Sequence, residues 1–147
     1  MNQLLAKIYL INFALLITHE IDSAFWHEWE LFGLPGGIQF FLLINLALIF
    51  LFLIGAESVI KGRKNSKIYS YFLALSGVFA FFIHLYFIIN GDARFLLPVS
   101  ILILSLIFFA SIAQLIILNL KFKNRMVDKI LLNNKANDQT MTYNNDK

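Results

Sequence analysis

Three long apolar runs, at about 37–60, 68–90 and 95–120, leave this chain few folds to choose from. About 20 helical residues cross a hydrocarbon core of ~30 Å. Lipid offers no water to satisfy backbone N–H and C=O groups, so each such run must close its own hydrogen bonds as a helix. Turn formers separate the runs: Pro35-Gly36-Gly37 before the first of them and Gly91-Asp92 before the last. Pro98 suits the first turn of the last run, where its missing N–H costs nothing. Only 14% of residues are charged and 59% are hydrophobic, against about 25% and 45–50% in soluble domains. The polar residues are too few to cover a surface facing water, so most of that surface faces lipid.

A fourth span, preceding the others, is less simple. Its clean apolar stretch, Leu4 to Ile17, is too short to cross and already holds Lys7 and Asn12. It spans only if the helix continues through His19, Glu20 and Asp22 towards Trp26, with Lys7 snorkelling to the near interface. That reading sets the ionisable residues at the edge of the hydrocarbon. The alternative is a tilted or re-entrant segment with the same residues in a watery loop. The run does not read as a cleaved leader, because no small-residue cleavage site follows it.

Basic residues orient the spans. Lys61, Arg63, Lys64 and Lys67 fill one connection, Lys121, Lys123, Arg125 and Lys129 follow the last span, and Lys7 begins the first. The opposite side has Arg94 as its one basic residue, and its first connection carries Glu20, Asp22, Glu28 and Glu30. Both termini are therefore expected in the cytoplasm. The net charge of +3 is a topology signal and a place for anionic headgroups. It is not a nucleic-acid patch. There are no cysteines, which excludes disulfides, thiolate metal sites and a cysteine nucleophile.

The expected fold is an all-α, integral membrane four-helix up-and-down bundle with a short amphipathic C-terminal extension. One transmembrane domain covers 1–132, with helices at about 4–26, 37–60, 68–90 and 95–120 and an interfacial segment at 121–132. Phe122, Met126, Val127, Ile130 and Leu131 alternate there with basic residues at helical spacing. The polar, Asn-rich stretch 133–147 reads as a disordered cytoplasmic tail.

Ionisable residues at membrane depth are costly and default to functional candidates. On a helix His19, Asp22, Ser23 and Trp26 share one face, and Glu20, Ala24 and His27 a second. The zincin pattern fails, because Ser23 stands where the second histidine would be. His84, two turns from the end of the third span, lies at the depth of His19 and continues a stripe of Gly77, Ala80 and Phe81. Small residues mark close helix approach, so His84 is expected to face inward and meet His19 and Asp22, with Glu20 or His27 completing the set. Three roles are open to it. It can hold a divalent metal on His19, Asp22 and His84, since imidazole and carboxylate suit Zn, Fe or Mn. It can act as an acid–base pair on a lipid substrate. It can be a hydrogen-bonded staple between helices. Asn45, Ser100, Ser111 and Gln114 read as interhelical hydrogen-bonding residues, and Glu57 as the partner of Lys61.

The element Thr18-His19-Glu20-Ile21-Asp22-Ser23-Ala24, followed by Trp26-His27-Glu28-Trp29 and a Leu-Pro-Gly turn, resembles a group of small bacterial four-helix membrane proteins of unknown function. The resemblance covers about 5–120 and implies the four-helix fold and a bacterial inner-membrane location, without an activity. The leading expectation is a small inner-membrane protein whose outer His/acidic cluster is structural or binds a metal or small ligand. The rival is a membrane-embedded metal-dependent or acid–base enzyme acting on a lipid-like substrate. Membrane lipid is the expected partner, nucleic acid is not, and a chain of this size suits self-association. A proton-coupled carrier is disfavoured, because the inner halves of the first and third spans offer no polar path.

Overall fold

In the computed structural model the described residues are 3–92, 94 and 96–145, those from 122 onward by backbone alone. They form α1 (Gln3–Phe25), the single-turn α2 (Glu28–Leu31), α3 (Gly37–Ile60), α4 (Ser66–Ile89) and α5 (Pro98–Asn145). Four of these are long and apolar enough to cross a membrane: α1, α3, α4 and the segment Pro98–Lys121 of α5. The chain is an all-α, multi-pass membrane protein, and α1 continues through His19, Glu20 and Asp22 as a spanning helix requires. The interfacial placement expected for 121–132 and the disorder expected for 133–147 concern residues whose side chains lie outside the description from 122 onward.

Helix ends follow local chemistry. α5 begins at Pro98, because the residue before a proline is pushed out of the helical region. α3 ends over a carboxylate clamp, with Glu57 Oε1 accepting from Lys61 Nζ at 2.6 Å and from Arg63 Nη2 at 3.0 Å. Between α4 and α5, Asp92 takes the Arg94 guanidinium at 2.7 Å.

Helix association in lipid has no hydrophobic drive and rests on close packing and interhelical hydrogen bonds. Gly55 and Gly77 supply the close packing. A Cβ on Gly77 would collide with Ser111 and Ile107 of α5, and one on Gly55 with Tyr9 of α1 and Tyr69 of α4. The Tyr9 hydroxyl donates to the Phe52 carbonyl at 2.9 Å, and Tyr71 donates to Asn119 at 2.5 Å. Leu5, Tyr9, Phe13 and Leu16 of α1 pack with Phe52, Ala56 and Val59 of α3, Leu73 of α4 and Leu118 of α5 in the main core.

Contact order around the bundle is α3, α4, α5, α1. α1 also approaches α4 across the middle, whereas the backbones of α3 and α5 do not approach one another among the described residues. α1 and α4 thus form the short diagonal. Inward-facing residues on these two helices meet wherever their depths match.

Candidate functional site

The α1–α4 diagonal brings His19 and His84 together. Their rings lie 4.6 Å apart, edge to face, and both are buried. His84 Nδ1 lies 2.8 Å from the Ala80 carbonyl one turn back. A carbonyl only accepts, so this nitrogen carries a proton. His84 Nε2 is 3.7 Å from Glu28 Oε2. His19 Nε2 sits 3.5 Å from the Ser23 hydroxyl, a long contact, and His19 Nδ1 is buried with no hydrogen-bond partner among the described residues.

Glu28 reaches this point through a backbone device. α1 stops at Phe25, and His27 takes the left-handed conformation at φ 56°. A left-handed residue after a helix is the usual terminator, most often glycine. Here it turns the chain back over the helix end, so that α2 begins at Glu28 with the carboxylate buried above His84. Burial pushes the Glu28 carboxyl above its usual range, against the opposing pull of His84 and Ser23, and Asp22 adds to the rise. Trp29 then packs on Phe41, and Phe32 on Phe87, which seats the connection on the bundle end.

One ligand atom from each of His19, Glu28 and His84 lies within 4.8 Å of the others. Two ligands of one tetrahedral zinc, each at ~2.0–2.2 Å from it, stand about 3.4 Å apart. The His84–Glu28 pair is within a few tenths of that spacing, and no pair exceeds it by more than about 1.4 Å.

The carboxylate of this trio is Glu28, and Asp22, its expected counterpart, stands outside it. Asp22 lies beside Glu28, and its Oδ2 is buried without a hydrogen-bond partner. The physical reason is direction. Asp22 is fixed to the face of α1, whereas the reversal at His27 returns Glu28 across the helix end towards α4. Glu20 takes a different place, on the wall of a cavity described next. His27 is exposed, with its ring 4.9 Å from Trp29, and contributes its backbone conformation instead of its imidazole. Sequence spacing missed Glu28 because it lay in a connection expected to face water. The signal was present in the Trp26-His27-Glu28-Trp29 element, whose two tryptophans need apolar cover and draw the segment onto the bundle.

A cavity of about 490 Å³ runs from the trio between α3 and α4. Leu16, His19 and Glu20 of α1 line it, with Glu28, Phe32 and Leu34 at its cluster end. Asn45 borders the cavity and donates to the Phe41 carbonyl at 3.2 Å.

The same bundle holds a second polar group two turns away. Asn12 Nδ2 donates to Ser111 Oγ and to Gln114 Oε1, each at 3.1 Å. Ser111 Oγ returns a bond to Asn12 Oδ1 at 3.3 Å, and Gln114 Nε2 donates to the Ser70 carbonyl at 2.8 Å. All four residues are fully buried and joined to one another. This is how a hydrogen-bonded staple between helices is built, and it gives a standard against which to judge the His/Glu trio.

The chain matches a family described as a family of unknown function, DUF6713, over residues 5–121. It belongs to that family. The DUF6713 region takes in all four spans, the reversal at His27 and the three residues of the trio. No curated protein and no solved structure matches the chain.

Proposed function

We propose that this DUF6713 protein is a small multi-pass protein of the bacterial inner membrane whose outer-leaflet trio, His19, Glu28 and His84, binds a divalent transition metal. The observation that carries the reading is the contrast between its two buried polar groups. The Asn12 group bonds at 2.8–3.3 Å. Within the trio His84 Nε2 and Glu28 Oε2 stand 3.7 Å apart, His19 Nε2 has a long 3.5 Å contact with Ser23 outside it, and His19 Nδ1 and the nearby Asp22 Oδ2 are buried and unsatisfied among the described residues. Buried polar atoms without partners are rare in native proteins and call for an unseen one. Two imidazoles and a carboxylate suit Zn, Fe or Mn. The Ala80 carbonyl on His84 Nδ1 is the outer contact that fixes a ligating histidine. Three protein ligands leave a coordination position open.

The inner-membrane location follows the resemblance seen in the sequence, and cytoplasmic termini follow the basic residues at the opposite end of the bundle from the trio. Lipid is the surrounding partner, and self-association suits so small a bundle.

Metal analysis of detergent-purified protein after incubation with Zn²⁺ and gel filtration tests the reading. The wild type retains about one metal per chain by the ligand count above, and His84→Ala and Glu28→Gln lose it. A wild type that retains none, together with a His84→Ala variant that merely unfolds more easily, would make the trio a helix staple.

A further inference from the structure

The cavity that ends at the trio is a slot whose shape and position limit what it can hold. On α4 its wall is one face of the helix: Phe72, Leu75, Ser76, Phe79, Ile83 and His84, at the three-and-four spacing of a single stripe. On α3 the facing wall is Phe41, Ile44, Asn45, Leu48 and Phe52. From Phe72 to His84 the stripe rises through 12 residue steps, or about 18 Å along the helix. That is more than half of the ~30 Å hydrocarbon core. A volume of about 490 Å³ spread over that depth makes the cavity long and narrow, the proportions of one extended hydrocarbon chain and not of a compact ligand.

The slot is open sideways. Ile44, Phe72, Leu75 and Phe79 form its lips and are exposed, and the surface they face within the spans is lipid. Its wall is apolar along the shaft, apart from Ser76, which donates to its own helix, and Asn45, which is bonded to the Phe41 carbonyl and to Glu20 of α1. Its polar groups gather at the cluster end, where His19, Glu20, Glu28 and His84 meet the cavity. No lysine or arginine lines it.

We infer that the slot binds a single-chain amphiphile, which enters from the membrane between α3 and α4 and places an uncharged hydroxyl head at the His19–Glu28–His84 trio. Chain selection rests on the cavity alone, and head selection rests on the metal reading above. With a divalent ion bound, its two positive charges are offset by the Glu20 and Glu28 carboxylates, so the slot's end has no net charge with which to hold a phosphate, sulfate or ammonium head. A hydroxyl oxygen suits such a site, since it can take the open metal position and donate to Glu28.

Hexadecanol carrying a mid-chain diazirine, in phosphatidylcholine vesicles containing the Zn²⁺-loaded full chain, provides the test. Photolysis and peptide mapping are expected to place label on Leu48, Phe72 and Phe79 at least tenfold above lipid-facing Ile68. Excess hexadecanol competes, and octanol and hexadecane do not. Ser76→Trp, which fills the slot away from the α4–α5 contact, is expected to abolish the slot label while leaving metal content unchanged. Even labelling of the lipid-facing surface, or slot labelling undiminished in Ser76→Trp, would overturn the inference. Equal competition by hexadecane would overturn it too, since the head would then contribute nothing. Metal content, measured on the same samples, separates the two ideas. Slot labelling with hexadecanol preference in protein that binds no metal rejects the metal reading and supports the slot, its head then held by the trio's side chains.

Discussion

His27 illustrates how much one backbone conformation decides here. Its φ of 56° lies where a β-branched residue is a true outlier, and where histidine is tolerated better than most. The imidazole itself is exposed against Trp29. His27→Gly is therefore expected to keep the metal and to match or raise the unfolding temperature, since glycine takes this conformation freely. His27→Val is expected to cost about 1–2 kcal/mol and to lose metal, because Glu28 no longer returns over His84. Thermal unfolding in detergent and metal content per chain read both effects. Loss of metal in His27→Gly would instead make the imidazole a ligand. Sequence reading placed His27 among the candidate side chains because helical spacing sets it on one face with Glu20 and Ala24, but α1 ends at Phe25 and that face does not reach it. Its φ cannot be seen in residue identity.

At the scale of helices, the Asn12 group and the His/Glu trio divide stability from binding. Asn12, Ser111, Gln114 and Ser70 tie α1, α4 and α5 together at mid-membrane. Asn12→Ala removes the hub and leaves Ser111 and Gln114 short of partners. The expected loss is about 1–2 kcal/mol, the upper part of what interhelical bonds are worth in membranes, with metal binding intact. Denaturant titration in mixed micelles measures the first and metal analysis the second. Loss of metal at unchanged stability would show that the two groups are coupled and that the division fails. The helix spans were legible in the sequence, because length and hydropathy dictate them. The role of Ser111 and Gln114 in hydrogen bonding between helices was legible as well, since polar side chains in lipid must find each other. Asn12 as the hub was not, because nothing in its local sequence shows which helix lies opposite.

The whole molecule is an up-and-down bundle with opposite chemistry at its two ends. Glu57, Lys61 and Arg63 cap one end with charge. The other is closed by Trp29 and Phe32 packed on Phe41 and Phe87. The basic end is expected to face the cytoplasm. The chain lacks cysteine, so single cysteines give an unambiguous reading. Ser66→Cys should react with an impermeant thiol reagent only from the cytoplasmic side, and Glu30→Cys only from outside. The reverse pattern in intact cells would invert the topology and move the trio to the inner leaflet.

The sequence by itself determined that this chain is a membrane bundle with four helices long and apolar enough to cross. Those facts follow from lengths and transfer free energies, which are sums over residues and need no knowledge of neighbours. Tertiary structure alone decided that α1 and α4 are the touching diagonal, which brings about the meeting of His19 and His84 that their matching depth led us to expect. It also decided that Glu28 is the carboxylate between them, with Asp22 to one side, and that a chain-wide slot opens beside them. Each of these depends on which faces of separate helices oppose one another and on a single reversed dihedral. Periodicity within one helix contains no information about either.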